Sequence, residues 1–426
     1  MSTAATPITN AGVERPPKEV LAVPAATDVA ARSPAQATTN RDKALDYLRA
    51  LVTGLVVAVH SLAAYALVIP ASHPRHSWLA GAPIADSHRM PGVDLFLHFN
   101  DNYFMSLMFF LSGLFVWPSL ARKGSAIFLR DRVLRLGVPF LFAALLMPLA
   151  YYASYRAHVI DPSFEAFWRE WLSLGFWPSG PLWFVALLLA YDALVAAIYR
   201  IAPHLLARLN RLASAASQSP AMFFANLMIV SATAYLPLRV AFGADSWVKF
   251  GPFFFQTSRL LHYGVYFFAG VAVGAGDIAH GLFARDRSLA ERWPVWLVAA
   301  LAMFAIDVMM IIAILPMAVA NGVVPLARHL ISGLVFIMCC GTTGFAMLAL
   351  FLRFANRRAP ALDSLSRNAY GIYLVHFGFV LWTQYLLLPA ALPAAVKAAI
   401  VLTVALVASW MTTAALRRIP GVGRVI

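Results

Sequence analysis

The sequence predicts an all-α polytopic membrane protein of about ten transmembrane helices with both termini cytoplasmic, and three observations carry that class. Of 426 residues, 61% are hydrophobic and only 12% charged, where soluble domains hold about 25% charged residues. Mean hydropathy is +0.73, too apolar for a soluble fold. Ten apolar segments each reach the roughly 17–25 residues that a bilayer requires. They are 47–68, 99–118, 136–155, 181–200, 221–241, 259–276, 294–315, 328–352, 370–388 and 395–415.

Residues 1–40, rich in Ala, Thr, Pro and Ser, read as a disordered cytoplasmic tail without the basic-then-apolar order of a signal peptide. Residues 41–420 then form one ten-helix domain. The net charge of +14 is a topology signal, because Lys and Arg collect in cytoplasmic loops; no nucleic-acid partner is expected. With the N-terminus inside, 24 of the 33 Lys and Arg fall on inner segments, among them the 119–135 connection. Cys339 and Cys340 are adjacent, so they supply neither a disulfide framework nor a metal site, and no metal is expected.

The first span, "LDYLRALVTGLVVAVHSLAAY", is apolar except for Asp46 and Arg49 at one end and His60 in the middle. Eleven steps of about 100° are three turns with about 20° left over, so Arg49 and His60 share a face, roughly 16 Å apart along the axis. A guanidinium at the inner surface suits a phosphate, and an imidazole at mid-membrane suits proton transfer. The separation matches a pantetheine arm: coenzyme A phosphates near Arg49, its acyl carbon near His60. The plainer readings are a basic anchor paired with Asp46 and a core histidine bonded to a neighbouring helix. Ionisable residues within spans are costly and mark function, which favours the chemical reading for His60.

Other polar groups fall into an inner and an outer set. Arg130, Arg132 and Arg135 cluster before the third span, as a phosphate site or as lipid-headgroup contacts. In the ninth span, Tyr373 and His376 are three residues apart. Counted from Tyr370, His376 sits about 9 Å inside the inner boundary, which suits donor binding. On the outer side, Gln256, Arg259, His262, Tyr263 and Tyr266 form a stripe at the start of the sixth span, and Trp183 opens the fourth. Gln256, Arg259, Tyr263 and Trp183 are assigned to the acceptor. Trp168, Trp171 and Trp177 read as interfacial anchors or as a sugar-stacking platform. Asp192 lies deep in the fourth span with a partner still to be found. Ser112-Gly113 in "FFLSGLF" reads as a close-packing site or as the wall of a cavity.

Taken in order, Arg49 with ten residues to His60, "FFLSGLF", "RDRVLRLGVPF", "LWFVALLL", "FFFQTSRLLHYGVYFFAGVAVG" and "NAYGIYLVH" resemble the membrane-bound acyltransferase 3 family over about residues 45–415. The resemblance implies a bacterial inner-membrane enzyme that takes an acyl group, expected to be acetyl, from cytoplasmic acyl-CoA and delivers it to a carbohydrate hydroxyl on the outer side. It makes His60 the catalytic histidine with Arg49 its partner, and Arg130, Arg132, Arg135 and His376 parts of the donor site. Glycan-assembly proteins are the expected partners. Pro181 departs from the histidine often found before Leu-Trp-Phe. A succinyl donor, an acyl-His60 intermediate, and a flippase for lipid-linked sugars are the alternatives. The flippase would show Gly/Pro-broken spans in matching halves, whereas these prolines sit mainly at span ends.

Overall fold

The computed structural model describes residues 1–2, 34–68, 77–79, 81–160, 162–206, 208, 211, 219–276, 282–283, 288–320, 325–355 and 357–425. Most of the predicted 1–40 tail lies outside them. Helix α1 runs over Pro34–Leu62. Each predicted span has its helix. These are α1, α2 (Val93–Gly113), α4 (Val138–His158), α6 (Trp183–Ile201) and α7 (Pro220–Phe242), then α8 (Leu260–Ala275), α9 (Trp293–Met309), α10 (Pro325–Phe354), α11 (Pro360–Leu387) and α12 (Ala394–Leu416). Among the described residues, seven helical stretches are long and apolar enough to cross a membrane on those grounds alone. α8 falls short at 16 residues. α2 carries Asp94, His98 and Asp101, and α11 starts on a polar stretch.

Segment 119–135, expected as a connection on the inner side, is helical. Helix α3 (Val116–Arg132) passes through a π-helical turn (Val133–Gly137) into α4. Gly124 breaks α3 at φ 74°, a conformation that needs glycine. A Lys123–Asp131 ion pair at 2.5 Å ties the two arms together. Helix starts are marked locally: Ser219 caps α7 ahead of Pro220, and Ser163 caps α5 (Phe164–Ser173). α11 begins at Pro360 with Asp363 in its first turn, ten residues before its apolar run.

Two packing features position the site. First, α2 and α8 meet backbone to backbone. A Cβ at Gly113 would collide with the Phe267 carbonyl, at Gly270 with that of Phe110, and at Gly274 with that of Leu114. The close-packing reading of Gly113 holds, and its counterpart is a G-x-x-x-G pair on α8. Second, α11 packs against α1, α4 and α12. The Tyr47 hydroxyl donates to the Asp363 carboxylate at 2.5 Å, and Gln384 donates to the carbonyls of His60 and Ser61 at 3.0 and 3.2 Å.

Connections at the other end of the bundle close over this core. A hairpin, β1 (Trp247–Phe250) and β2 (Phe253–Gln256), pairs antiparallel with Trp247 opposite Gln256. Trp78 and Trp171, each 1% exposed, pack with Tyr151, Tyr155 and Phe167. Trp171 is thus core, neither membrane anchor nor open platform. The Trp177 indole donates to the Ala144 carbonyl at 2.7 Å. Asp86 anchors the 81–92 connection by accepting from the fully buried Lys397 ammonium at 2.8 Å and from the His88 backbone N–H at 2.8 Å. Burial pushes the Asp86 carboxyl up, but the hydrogen bonds from Lys397 and His88 outweigh it and hold the group below the usual carboxylate range.

Candidate active site

A cavity of about 880 Å³ lies between α1, α2, α8, α11 and the hairpin, and its lining includes His60, Trp183, Gln256, Arg259, Tyr263 and Tyr373. The polar residues expected on the acceptor side therefore converge on one space, with His60 in its wall. Sequence reasoning missed several lining groups: Asp101 on α2, Asp245, Trp247, Lys249 and Phe254 around the hairpin, and Tyr151 and Phe377. Asp101 was the one with a readable signal, being a charge inside an apolar segment.

His60 is held by its own helix. Its Nδ1 lies 2.8 Å from the Val56 carbonyl oxygen, an acceptor, so Nδ1 carries the proton and Nε2 keeps its lone pair. That is the tautomer a general base needs. Gln384 fixes the helix end from α11, while the Phe377 ring meets the imidazole edge-on at 5.4 Å.

The wall opposite is charged and aromatic. Arg259 donates to the Asp101 carboxylate at 2.6 Å and to the Asp101 carbonyl at 3.1 Å; the α2–α8 seam brings these residues together. Tyr263 stacks with Trp183 at 5.6 Å, and Trp183 meets Trp247 edge-on at 6.5 Å. The Lys249 ammonium sits over the Phe176 ring at 4.9 Å. Aromatic faces with convergent hydrogen-bonding groups suit a polyhydroxylated ligand. His262 and Tyr266, grouped with this stripe in the sequence, lie behind it. His262 is fully buried, 3.2 Å from the Ser106 hydroxyl.

The basic set sits elsewhere. Arg49 does not line the cavity; its guanidinium lies over the Phe115 ring at 4.8 Å and 3.5 Å from Asp46. Arg132 Nε is 3.4 Å from Asp192, which answers the question of that carboxylate's partner. Arg49 and Arg132 are close enough to act on each other electrostatically. Arg130 and Arg135 are exposed, Arg130 with Asp131 at 3.6 Å. The three loop arginines thus divide into one turned to the bundle beside Arg49 and two turned away.

His376, read in the sequence as a donor-side residue, is placed beside His60; α11 starts at Pro360, sixteen residues before it. The His376 ring is fully buried, with its centroid 5.2 Å from that of His60. Tyr373 donates its hydroxyl to the Pro181 carbonyl, and both residues line the cavity. Ser364 and Ser366 lie in the first turns of this helix. Ser364 accepts from Trp410 at 3.0 Å, and Ser366 donates to the Asp46 carbonyl at 3.3 Å.

A family model described as an acyltransferase domain matches residues 42–414. Neither a curated protein nor a solved structure matches the chain.

Proposed function

The chain belongs to the acyltransferase 3 family and is a multi-pass membrane acyltransferase; from that premise we propose that it moves an acyl group, acetyl by preference, from acyl-CoA to a carbohydrate hydroxyl. The observation that carries this reading is His60, set in the cavity wall with Nδ1 committed to Val56 and Nε2 unprotonated. The acceptor enters from the hairpin side, against Trp183, Tyr263, Gln256 and Arg259. The donor approaches from the basic end, its phosphates on Arg49 and Arg132, with Arg130 and Arg135 attracting it electrostatically.

His60 Nε2 takes the hydroxyl proton as the sugar oxygen attacks the thioester carbonyl. The C–S bond breaks, and the proton passes to the departing thiolate. General-base action contributes about 10²–10⁴-fold, and holding the two substrates in line contributes much of the remainder. The reading places the protein in a bacterial inner membrane, acting on a periplasmic or cell-surface glycan alongside glycan-assembly proteins.

The test uses full-length protein in nanodiscs with radiolabelled acetyl-CoA and a panel of glycosides. His60→Ala is expected to lose transfer by at least about 100-fold. Wild-type transfer by that variant would remove His60 as the base. Surface glycans compared by mass spectrometry in cells with and without the protein identify the acceptor; unchanged glycans would end the carbohydrate reading.

A further inference from the structure

We propose that Phe377 limits the donor to short acyl groups, acetyl first, by closing the cavity wall beside His60. The inference rests on the reading above, in which an acyl-CoA thioester reacts beside His60, and adds the residue that selects among donors. Three observations lead to it.

The first is a division of the cavity wall. Its charged groups, Asp101, Asp245, Lys249 and Arg259, belong to α2, to the hairpin and its approach, and to the start of α8. Around His60 the wall is apolar: Val56 and Val59 on the same helix, Phe377 on α11 and the Tyr151 ring on α4. Val56 is one turn before His60 and shares its face. A thioester carbon carries an oxygen, a sulfur and the acyl chain. The sulfur leads to the body of the donor at the basic end, and the acceptor oxygen comes from the hairpin end. The chain is left the side wall, where apolar carbon finds apolar partners.

The second is contact. The Phe377 ring meets the imidazole itself, with centroids 5.4 Å apart and planes at 83°. Rings at that separation touch, so a chain that starts beside His60 reaches the Phe377 ring within its first carbons.

The third is that this ring is clamped. Tyr151 packs on it at 5.5 Å and 65°. Gly180 abuts it: an added Cβ there would lie 3.1 Å from Phe377 Cε1, 3.3 Å from its Cδ1 and 3.4 Å from the Tyr151 hydroxyl. Gly180 holds φ 53°, a conformation that favours glycine, and its missing side chain is what lets the ring settle there. Phe377 is 4% exposed. A ring held on three sides is a fixed stop, whereas a methionine such as Met105 on the α2 wall re-packs. A chain too long for the space must push clamped side chains off their rotamers, and transfer slows.

The experiment measures coenzyme A thiol release by full-length protein in nanodiscs from acetyl-, propionyl-, butyryl- and hexanoyl-CoA, with water or a methyl glucoside as acceptor. In the wild type, kcat/KM is expected to fall at least about tenfold from acetyl to butyryl. Room for each further methylene is worth about fourfold. Phe377→Leu should therefore raise the butyryl-to-acetyl ratio of kcat/KM at least about fourfold, and Phe377→Ala at least about 15-fold. Met105→Ala should leave that ratio within about twofold. Donors are compared on one sample, so loss of folded protein lowers every rate together and leaves the ratio alone. If Phe377→Ala does not fold, Phe377→Leu carries the comparison. A wild type indifferent to chain length would overturn the inference. So would an unchanged ratio in the Phe377 variants, or an equal shift in Met105→Ala, which would put the chain on the α2 wall. Thiol release blind to chain length defeats this inference alone; no release from any donor by the wild type defeats the acyl-CoA reading and this inference with it.

Discussion

The Tyr47 hydroxyl donates to the Asp363 carboxylate at 2.5 Å and accepts from the Ala359 backbone N–H at 3.2 Å, locking the first helix to the start of the eleventh. Through that lock a contact near the basic end sets the alignment of groups deep in the bundle. Tyr47→Phe leaves both partners unanswered and is expected to lower stability by about 1–3 kcal/mol. It should also reduce kcat while leaving the acceptor-side residues intact. A melting curve in detergent with a thiol-release assay checks both; an unchanged kcat would show that the alignment is set elsewhere.

The Arg132–Asp192 pair predicts an asymmetry. The Asp192 side chain is 0% exposed, while Arg132 keeps 24%. Removing the arginine leaves a carboxylate in the bundle without its ion-pair partner, a destabilising loss. Removing the acid leaves a guanidinium that still reaches solvent and costs less. Arg132→Leu should therefore melt well below Asp192→Leu. Equal melting temperatures would contradict the pairing.

Gly270→Ala and Gly274→Ala are expected to destabilise strongly, because each added methyl meets backbone that has nowhere to move. Gly344, with open space around its Cβ position, is the control. Gly344→Ala should be neutral or stabilising by up to about 1 kcal/mol, from helix propensity. Circular dichroism melts of the three variants decide the matter.

Stability should fall on acidification through Asp86. Its carboxyl lies below the ordinary 3.8 in the folded protein, burial opposing and the Lys397 and His88 bonds prevailing. A carboxyl lowered on folding contributes stability above its unfolded value and loses it as pH drops through the folded one. The melting temperature is thus expected to hold through neutral pH and to decline below about pH 4. The Asp86→Leu, Lys397→Met double variant should lose that part of the decline. An unaltered acid limb in the double variant would show that other carboxylates account for it.

What the sequence disclosed follows from the reach of each signal. Each of the ten apolar segments has its helix, because exclusion from water acts on each segment separately. The meeting of His376 with His60 depends on how α1 and α11 pack, and the polar turns of α11 before Tyr370 lie beyond what an apolarity measure detects. The helical character of 119–135 was hidden for the same reason. Arg259, Gln256, Tyr263 and Trp183 were legible because polar or amphipathic groups near a span end stand out. Asp101 carried the same kind of signal, but its pairing with Arg259, and the approach of Trp247 and Lys249, depend on how helices and hairpin meet, which no local pattern encodes. Gln384 was a readable intramembrane polar residue whose target, the carbonyl of His60, only the fold reveals.

The glycine seam between α2 and α8 has a mechanical corollary. Two backbones in direct contact slide or part only by giving up that contact along its length, so this side of the chamber behaves as a rigid plank, with Asp101 and Arg259 mounted at its rim. Any widening must come from the other side, where the hairpin packs on α6 and α4 through the Trp183–Trp247 and Phe140–Phe253 ring pairs. The width of the cavity on that side is therefore set by the hairpin residues Trp247 and Phe254, while the plank holds the aim constant.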